Sequence, residues 1–120
     1  VSPGSTCELW AAREVNQIPV LPGFSTASEA MRLIELGSPC GKLFPAEASG
    51  GVEYLKSLSG PLPQFSICPT GGIKADTASN YLACPNVVCV GGSWIAPADL
   101  LAAGDYSEIE ERARHATSLV

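Results

Sequence analysis

Gly41-Lys42-Leu43-Phe44-Pro45-Ala46-Glu47 sets a single lysine inside a short apolar run that stops at a proline. Helical patterns flank the run on both sides, which is how a buried parallel strand reads. An ammonium in such a strand is costly, and burial favours the neutral amine, the usual route to a lysine that is nucleophilic near neutral pH. That nucleophile suits carbonyl chemistry. The same segment also reads as a strand-end lysine whose stem covers apolar neighbours while its head reaches solvent.

Working outward, strands and helices alternate. Val1-Ser2-Pro3-Gly4 reads as the end of a strand, and Ser5 and Glu8 have the spacing of a capping box that opens a helix to about Asn16. Ile18 to Leu21 reads as a strand closed by Pro22-Gly23. Thr26 and Glu29 form a second capping box for a helix with Ala27, Ala30, Met31 and Ile34 on one face, ended by Gly37. After the lysine strand, Val52, Leu55 and Leu58 mark an inward helical face. Phe65 to Cys68 and Val87 to Val90 read as two further strands, and each exits through paired glycines, Gly71-Gly72 and Gly91-Gly92. A short helix from Asp76 to Leu82 lies between them. A helical piece near Pro97 to Leu101 precedes a last helix that opens at Asp105 and carries Tyr106, Ile109, Ala113, Ala116 and Val120 as its stripe.

Strand midpoints at Val20, Lys42, Ile67 and Cys89 recur every 22 to 25 residues or so, which argues for repeated right-handed βα units and a parallel sheet. A doubly wound sheet and a (β/α)8 TIM barrel both fit. No strand is followed by Gly-x-Gly-x-x-Gly, and glycine pairs at two successive strand ends followed by a short helix match the phosphate site after the seventh and eighth barrel strands. The expectation is therefore an α/β chain holding the C-terminal half of such a barrel, from the end of strand 4 through strand 8 and its helix. Residues 1–120 would then be one portion of a single domain that lacks strands 1–3. Exposed parallel edges on such a half would favour association and weak activity alone.

The 120 residues are 46% hydrophobic and 16% charged, with a net charge of −5 and an isoelectric point near 4.7. The seven Lys and Arg are scattered, so nucleic acid is not expected as a partner. No apolar run approaches the roughly 20 residues of a membrane span, and no basic, then apolar, leader opens the chain; the expected setting is cytoplasmic. Cys7, Cys40, Cys68, Cys84 and Cys89 contain no Cys-x-x-Cys pair and read as reduced core thiols, with no metal site. His115, the only histidine, lies off the stripe of the last helix and reads as a surface residue.

Glycines let a backbone approach a phosphate and offer it several N–H donors. Gly71, Gly72, Gly92 and Ser93 supply such a cradle, and Lys42 lies on the strand that precedes it. With Ser2-Pro3-Gly4, Leu21-Pro22-Gly23, Ser25-Thr26, Lys42 through Glu47, Cys68 through Ile73 and Gly91-Gly92-Ser93-Trp94 in this order, the chain resembles the class I aldolases that cleave 2-keto-3-deoxy-6-phosphogluconate (KDPG), many of which also act on 4-hydroxy-2-ketoglutarate (KHG). Leu43 stands where some members have a second phenylalanine.

The resemblance implies that Lys42 forms the Schiff base and that no metal or cofactor is needed, because the protonated imine does the work of a Lewis acid. It implies that Thr70, Gly71, Gly72, Gly92 and Ser93 surround the pyruvyl group and the phosphate, and that Pro3 and Phe44 are apolar wall positions. A phosphorylated keto acid and pyruvate are the implied ligands, the Entner–Doudoroff route the implied setting, and a homo-oligomer, commonly a trimer, the implied assembly. The family's proton-shuttling glutamate and carboxylate-holding arginine belong to a strand upstream of residue 1, so neither is assigned here. Glu47, the carboxylate nearest to Lys42 in sequence, is a candidate substitute base, against its reading as a solvated carboxylate. Two alternatives stand beside the aldolase: a phosphate-binding barrel enzyme of another class, such as a sugar-phosphate isomerase with Lys42 as an electrostatic contact, and a non-catalytic half-barrel remnant.

Overall fold

The computed structural model describes residues 1–119. Helix α1 (Cys7–Asn16), strand β1 (Gly23–Phe24), α2 (Ala27–Glu35), β2 (Cys40–Leu43), α3 (Gly51–Ser59), β3 (Ser66–Pro69), α4 (Ala75–Leu82), α5 (Ala98–Ala103) and α6 (Tyr106–Ala116) follow one another, and α6 runs into a 3₁₀ turn at Thr117–Leu119. The three strands lie in the order β1-β2-β3 and pair in parallel, Gly23 opposite Lys42 and Lys42 opposite Cys68. Crossovers through α2 and α3 give the alternation its physical form.

The structure corrects the barrel expectation. Among the described residues the sheet is open and three-stranded, a small α/β unit rather than half of a closed barrel. Two of the expected strands fail for local reasons. Pro19 and Pro22 interrupt the donors of the Ile18–Leu21 run, so ladder pairing begins only at Gly23. The Val87–Val90 run makes isolated bridges, Ile67 with Val87 and Thr70 with Gly91. One extra residue lies between them on the second partner, so the ladder is broken as it is by a bulge. Val1 to Gly4 is not a strand either; Ser2 N–H donates to the Leu21 carbonyl at 3.2 Å and the Ser2 hydroxyl accepts from Gly23 N–H.

Helix ends follow the sequence chemistry closely. Thr26 Oγ1 accepts from Glu29 N–H while the Glu29 carboxylate accepts from Thr26 N–H at 2.9 Å, a complete capping box. For α1 the cap is Thr6, which accepts from Leu9 N–H, and not Ser5. Asp105 caps α6.

The core lies on one face of the sheet. Leu43 and Ile67 point into it with Phe24, Leu33, Leu55, Leu58, Phe65 and Tyr81, each fully buried aliphatic side chain contributing roughly 1.5–3 kcal/mol. Gly41 has a steric reason: a Cβ there would meet Phe65 at 2.7 Å and Phe24 at 2.9 Å, two rings packed edge to face at 5.5 Å. On α2, Ala30 and Leu33 are buried and Ile34 partly so, while Met31 is exposed. Helix α6 buries no residue; Ile109 and Ala116 are half-buried, Tyr106 and Ala113 are exposed, and Val120 lies outside the described residues. Cys68 and Cys84 are buried, whereas Cys7 and Cys89 are exposed, contrary to the expectation of core thiols. Among the described residues no helix is long and apolar enough to cross a membrane.

Candidate active site

Alternation along β2 decides where the lysine goes. Gly41 and Leu43 face the helices and are buried; Cys40 and Lys42 face the other way and are half-buried. The strand is thus covered on one face among the described residues, not on both, because the helices pack on the Leu43 side. Lys42 Nζ sits 4.4 Å from the centroid of the Phe44 ring, a cation–π arrangement that holds the amine at the strand's exit. None of the ion pairs among the described residues involves Lys42.

Cys68 is the register partner of Lys42 and shares its face. Its Sγ lies 3.9 Å from Thr70 Oγ1. Burial pushes the Cys68 thiol up to about 11, and a hydrogen bond with the Cys89 thiol adds to the rise, against smaller opposing effects of Thr70 and of the Lys42 charge. Cys68 is thus held as a neutral thiol beside the amine.

Parallel register brings the strand exits together. Ala46 N–H donates to the Thr70 carbonyl at 2.8 Å and Glu47 N–H to the Gly71 carbonyl at 3.1 Å, while Gly91 N–H donates to the Pro69 carbonyl at 2.9 Å. These bonds lay the exits of β2, β3 and the Val87–Val90 run side by side. Gly72 has a φ of +84°, and a Cβ there would press on the Glu47 stem at 2.7 Å; only glycine fits both constraints. The result is a cavity of about 610 Å³ walled by Phe44 and Trp94, with Thr70, Gly71, Gly72, Gly92 and Ser93 around it. The Phe44 ring therefore has the cavity against it and the Lys42 amine within 4.4 Å.

Six of the eight residues expected at the site, Phe44, Thr70, Gly71, Gly72, Gly92 and Ser93, line this cavity, and Lys42 adjoins it through Phe44. Pro3 does not join them: it packs its backbone on Gly23, the residue opposite Lys42, one strand away. Glu47 accepts a hydrogen bond from the buried Tyr81 hydroxyl, so the carboxylate is a tie between β2's exit and α4. Lys74 and Trp94 also line the cavity and were not expected there. Their signal is adjacency, since Lys74 follows Gly71-Gly72-Ile73 and Trp94 follows Gly92-Ser93.

A smaller apolar cleft of about 430 Å³ between α1 and α2, lined by Trp10, Arg32 and Leu36 among others, holds none of these groups.

The chain is 48% identical over 118 residues to the 2-dehydro-3-deoxy-phosphogluconate aldolase of Pseudoalteromonas atlantica, covering 98% of this chain and 55% of that one. It is likewise 48% identical over 116 residues to the KHG/KDPG aldolase of Escherichia coli K12, covering 97% and 54%. Among solved structures, the KDPG aldolase of Legionella pneumophila, with pyruvate captured as a covalent carbinolamine intermediate, superposes with a TM-score of 0.91 at 43% identity, over 96% of this chain and 56% of that one. The KDPG aldolase of Zymomonas mobilis ZM4 with 3-phosphoglycerate gives 0.89 at 38% identity, over 99% and 56%. The chain thus spans about half the length of the relatives it matches. With the family model for KDPG and KHG aldolase matching residues 1–112, the chain belongs to the KDPG and KHG aldolase family.

Proposed function

We propose that the chain carries the Schiff-base lysine and phosphate cradle of an aldolase that cleaves KDPG to pyruvate and glyceraldehyde 3-phosphate, and KHG to pyruvate and glyoxylate. The observation that carries this reading is that the Lys42 amine and the glycine-rich cavity both lie against Phe44. In this reading Lys42 Nζ, as the free amine, attacks the keto carbon, and the carbinolamine loses water to give a protonated imine. The C3–C4 bond then breaks and its electron pair flows into the iminium, giving an enamine. The C4 hydroxyl loses its proton as C4 becomes the aldehyde carbon of the leaving product. Protonation of the enamine carbon and hydrolysis of the imine return pyruvate and the free amine.

Thr70, Gly71, Gly72, Gly92 and Ser93 are read as donors around the keto acid and its phosphate, and Phe44 as the apolar wall that keeps water from the amine. Self-association is part of the reading; exposed apolar side chains at Val15, Ile18 and Met31 support it, and sedimentation velocity tests it. The activity itself is tested by following pyruvate release from KDPG with lactate dehydrogenase and NADH. Turnover that vanishes in Lys42→Met is the expected result; turnover equal in the two proteins contradicts the reading.

A further inference from the structure

Among the residues lining the 610 Å³ cavity, Lys74 alone has an ionisable side chain. Its backbone is fixed: Lys74 is the residue that opens α4, its N–H donates to Thr77 Oγ1 at 3.0 Å, and its carbonyl accepts from Ala78 N–H at 2.9 Å. The side chain is exposed, and none of the ion pairs among the described residues engages it. The neighbouring cations are placed otherwise. Arg112 donates to Glu108 at 2.7 Å and to the Trp94 carbonyl at 3.0 Å. Lys42 lies over Phe44.

A phosphate dianion held only by backbone N–H groups and hydroxyls lacks a full countercharge. An ammonium on a flexible stem at the cavity rim provides one, with charge-assisted hydrogen bonds stronger than neutral ones. We propose that Lys74 is the specificity-determining cation of the site, favouring keto acids whose far end carries a phosphate over those ending in a carboxylate or hydroxyl. The assignment rests on the aldolase reading for its substrate, but its anion-binding content can be measured separately.

Calorimetric titration with 3-phosphoglycerate, and with glycerate as the unphosphorylated control, tests it on the unmodified protein, Lys74→Met and Lys74→Arg. Lys74 is exposed, so the variants are expected to retain the unmodified circular dichroism spectrum. The expected result is a Kd for 3-phosphoglycerate weakened about tenfold or more in Lys74→Met, largely restored in Lys74→Arg, and less affected as ionic strength rises. Equal affinities in all three proteins overturn the assignment, whatever the turnover. Absence of KDPG and KHG cleavage by the unmodified protein, with the Lys74 dependence of 3-phosphoglycerate binding intact, overturns the aldolase reading and leaves the cation assigned.

Discussion

The Tyr81 hydroxyl, on a side chain buried in the core, donates a hydrogen bond to the Glu47 carboxylate 34 residues earlier. That bond fastens α4 to the exit of the lysine strand. The same Glu47 bonds the Gly71 carbonyl through its N–H, and its stem lies against Gly72, so one residue ties the lysine loop to the glycine loop through its backbone and to α4 through its carboxylate. Tyr81→Phe removes the donor, and the carboxylate of the exposed Glu47 turns to water instead. Its expected cost is about 1 kcal/mol, read as a lower urea midpoint with an unchanged slope.

The same pair predicts a pH dependence. Burial, then the Glu47 hydrogen bond and charge, push the Tyr81 hydroxyl well above its ordinary value. The folded state keeps this proton at a pH where the unfolded chain loses it. The stabilisation is therefore complete below about pH 10 and is lost as pH rises beyond that. Urea titrations from about pH 9 to 11 should show a steeper loss in the unmodified protein than in Tyr81→Phe.

At the start of α2 the sign is opposite. The Ser25 N–H, at 2.7 Å, is the largest influence holding the Glu29 carboxylate below its ordinary value; burial opposes it, and the Thr26 N–H and hydroxyl reinforce it. The carboxylate's contribution is present above its unfolded value and fades as the pH falls through its lower folded one. Thr26→Ala should cost about 1 kcal/mol, and Glu29→Gln should flatten the acid limb of a stability-against-pH curve.

Thiol reactivity separates the cysteines. Cys7 is exposed, while burial and the Cys89 contact hold Cys68 up to about 11. Because the thiolate is the reacting species, alkylation near neutral pH, mapped by peptide mass spectrometry, should label Cys7 before Cys68. Labelling of Cys68 should stay slow and accelerate towards pH 11. Equal rates at Cys7 and Cys68 near neutral pH would contradict the burial of Cys68.

Much of the site was legible because local chemistry specifies it. Thr26 and Glu29 read as a capping box and are one. Lys42 reads as a strand residue with the two glycine exits beside it, and parallel register brings them together. What the sequence did not show depends on partners distant in the chain. Periodicity counted Ile18–Leu21 and Val87–Val90 as full strands, but Pro19 within the first and Pro22 after it delay pairing to Gly23, and a one-residue slip leaves the second with isolated bridges, so the barrel built on that count fails with them. Glu47 resembled a free carboxylate because its partner, Tyr81, lies two elements away. Gly41 gave no sign that it makes room for Phe24 against Phe65.

In the proposed reaction Lys42 is the amine that condenses with the keto acid. Incubation of the folded protein with pyruvate and borohydride, followed by intact-mass analysis beside Lys42→Met, measures it most directly. One reduced pyruvyl adduct, located on Lys42 by peptide mapping and missing from the variant, is the predicted result. An adduct of equal yield in Lys42→Met, or none on a protein shown to be folded by circular dichroism, would contradict the account.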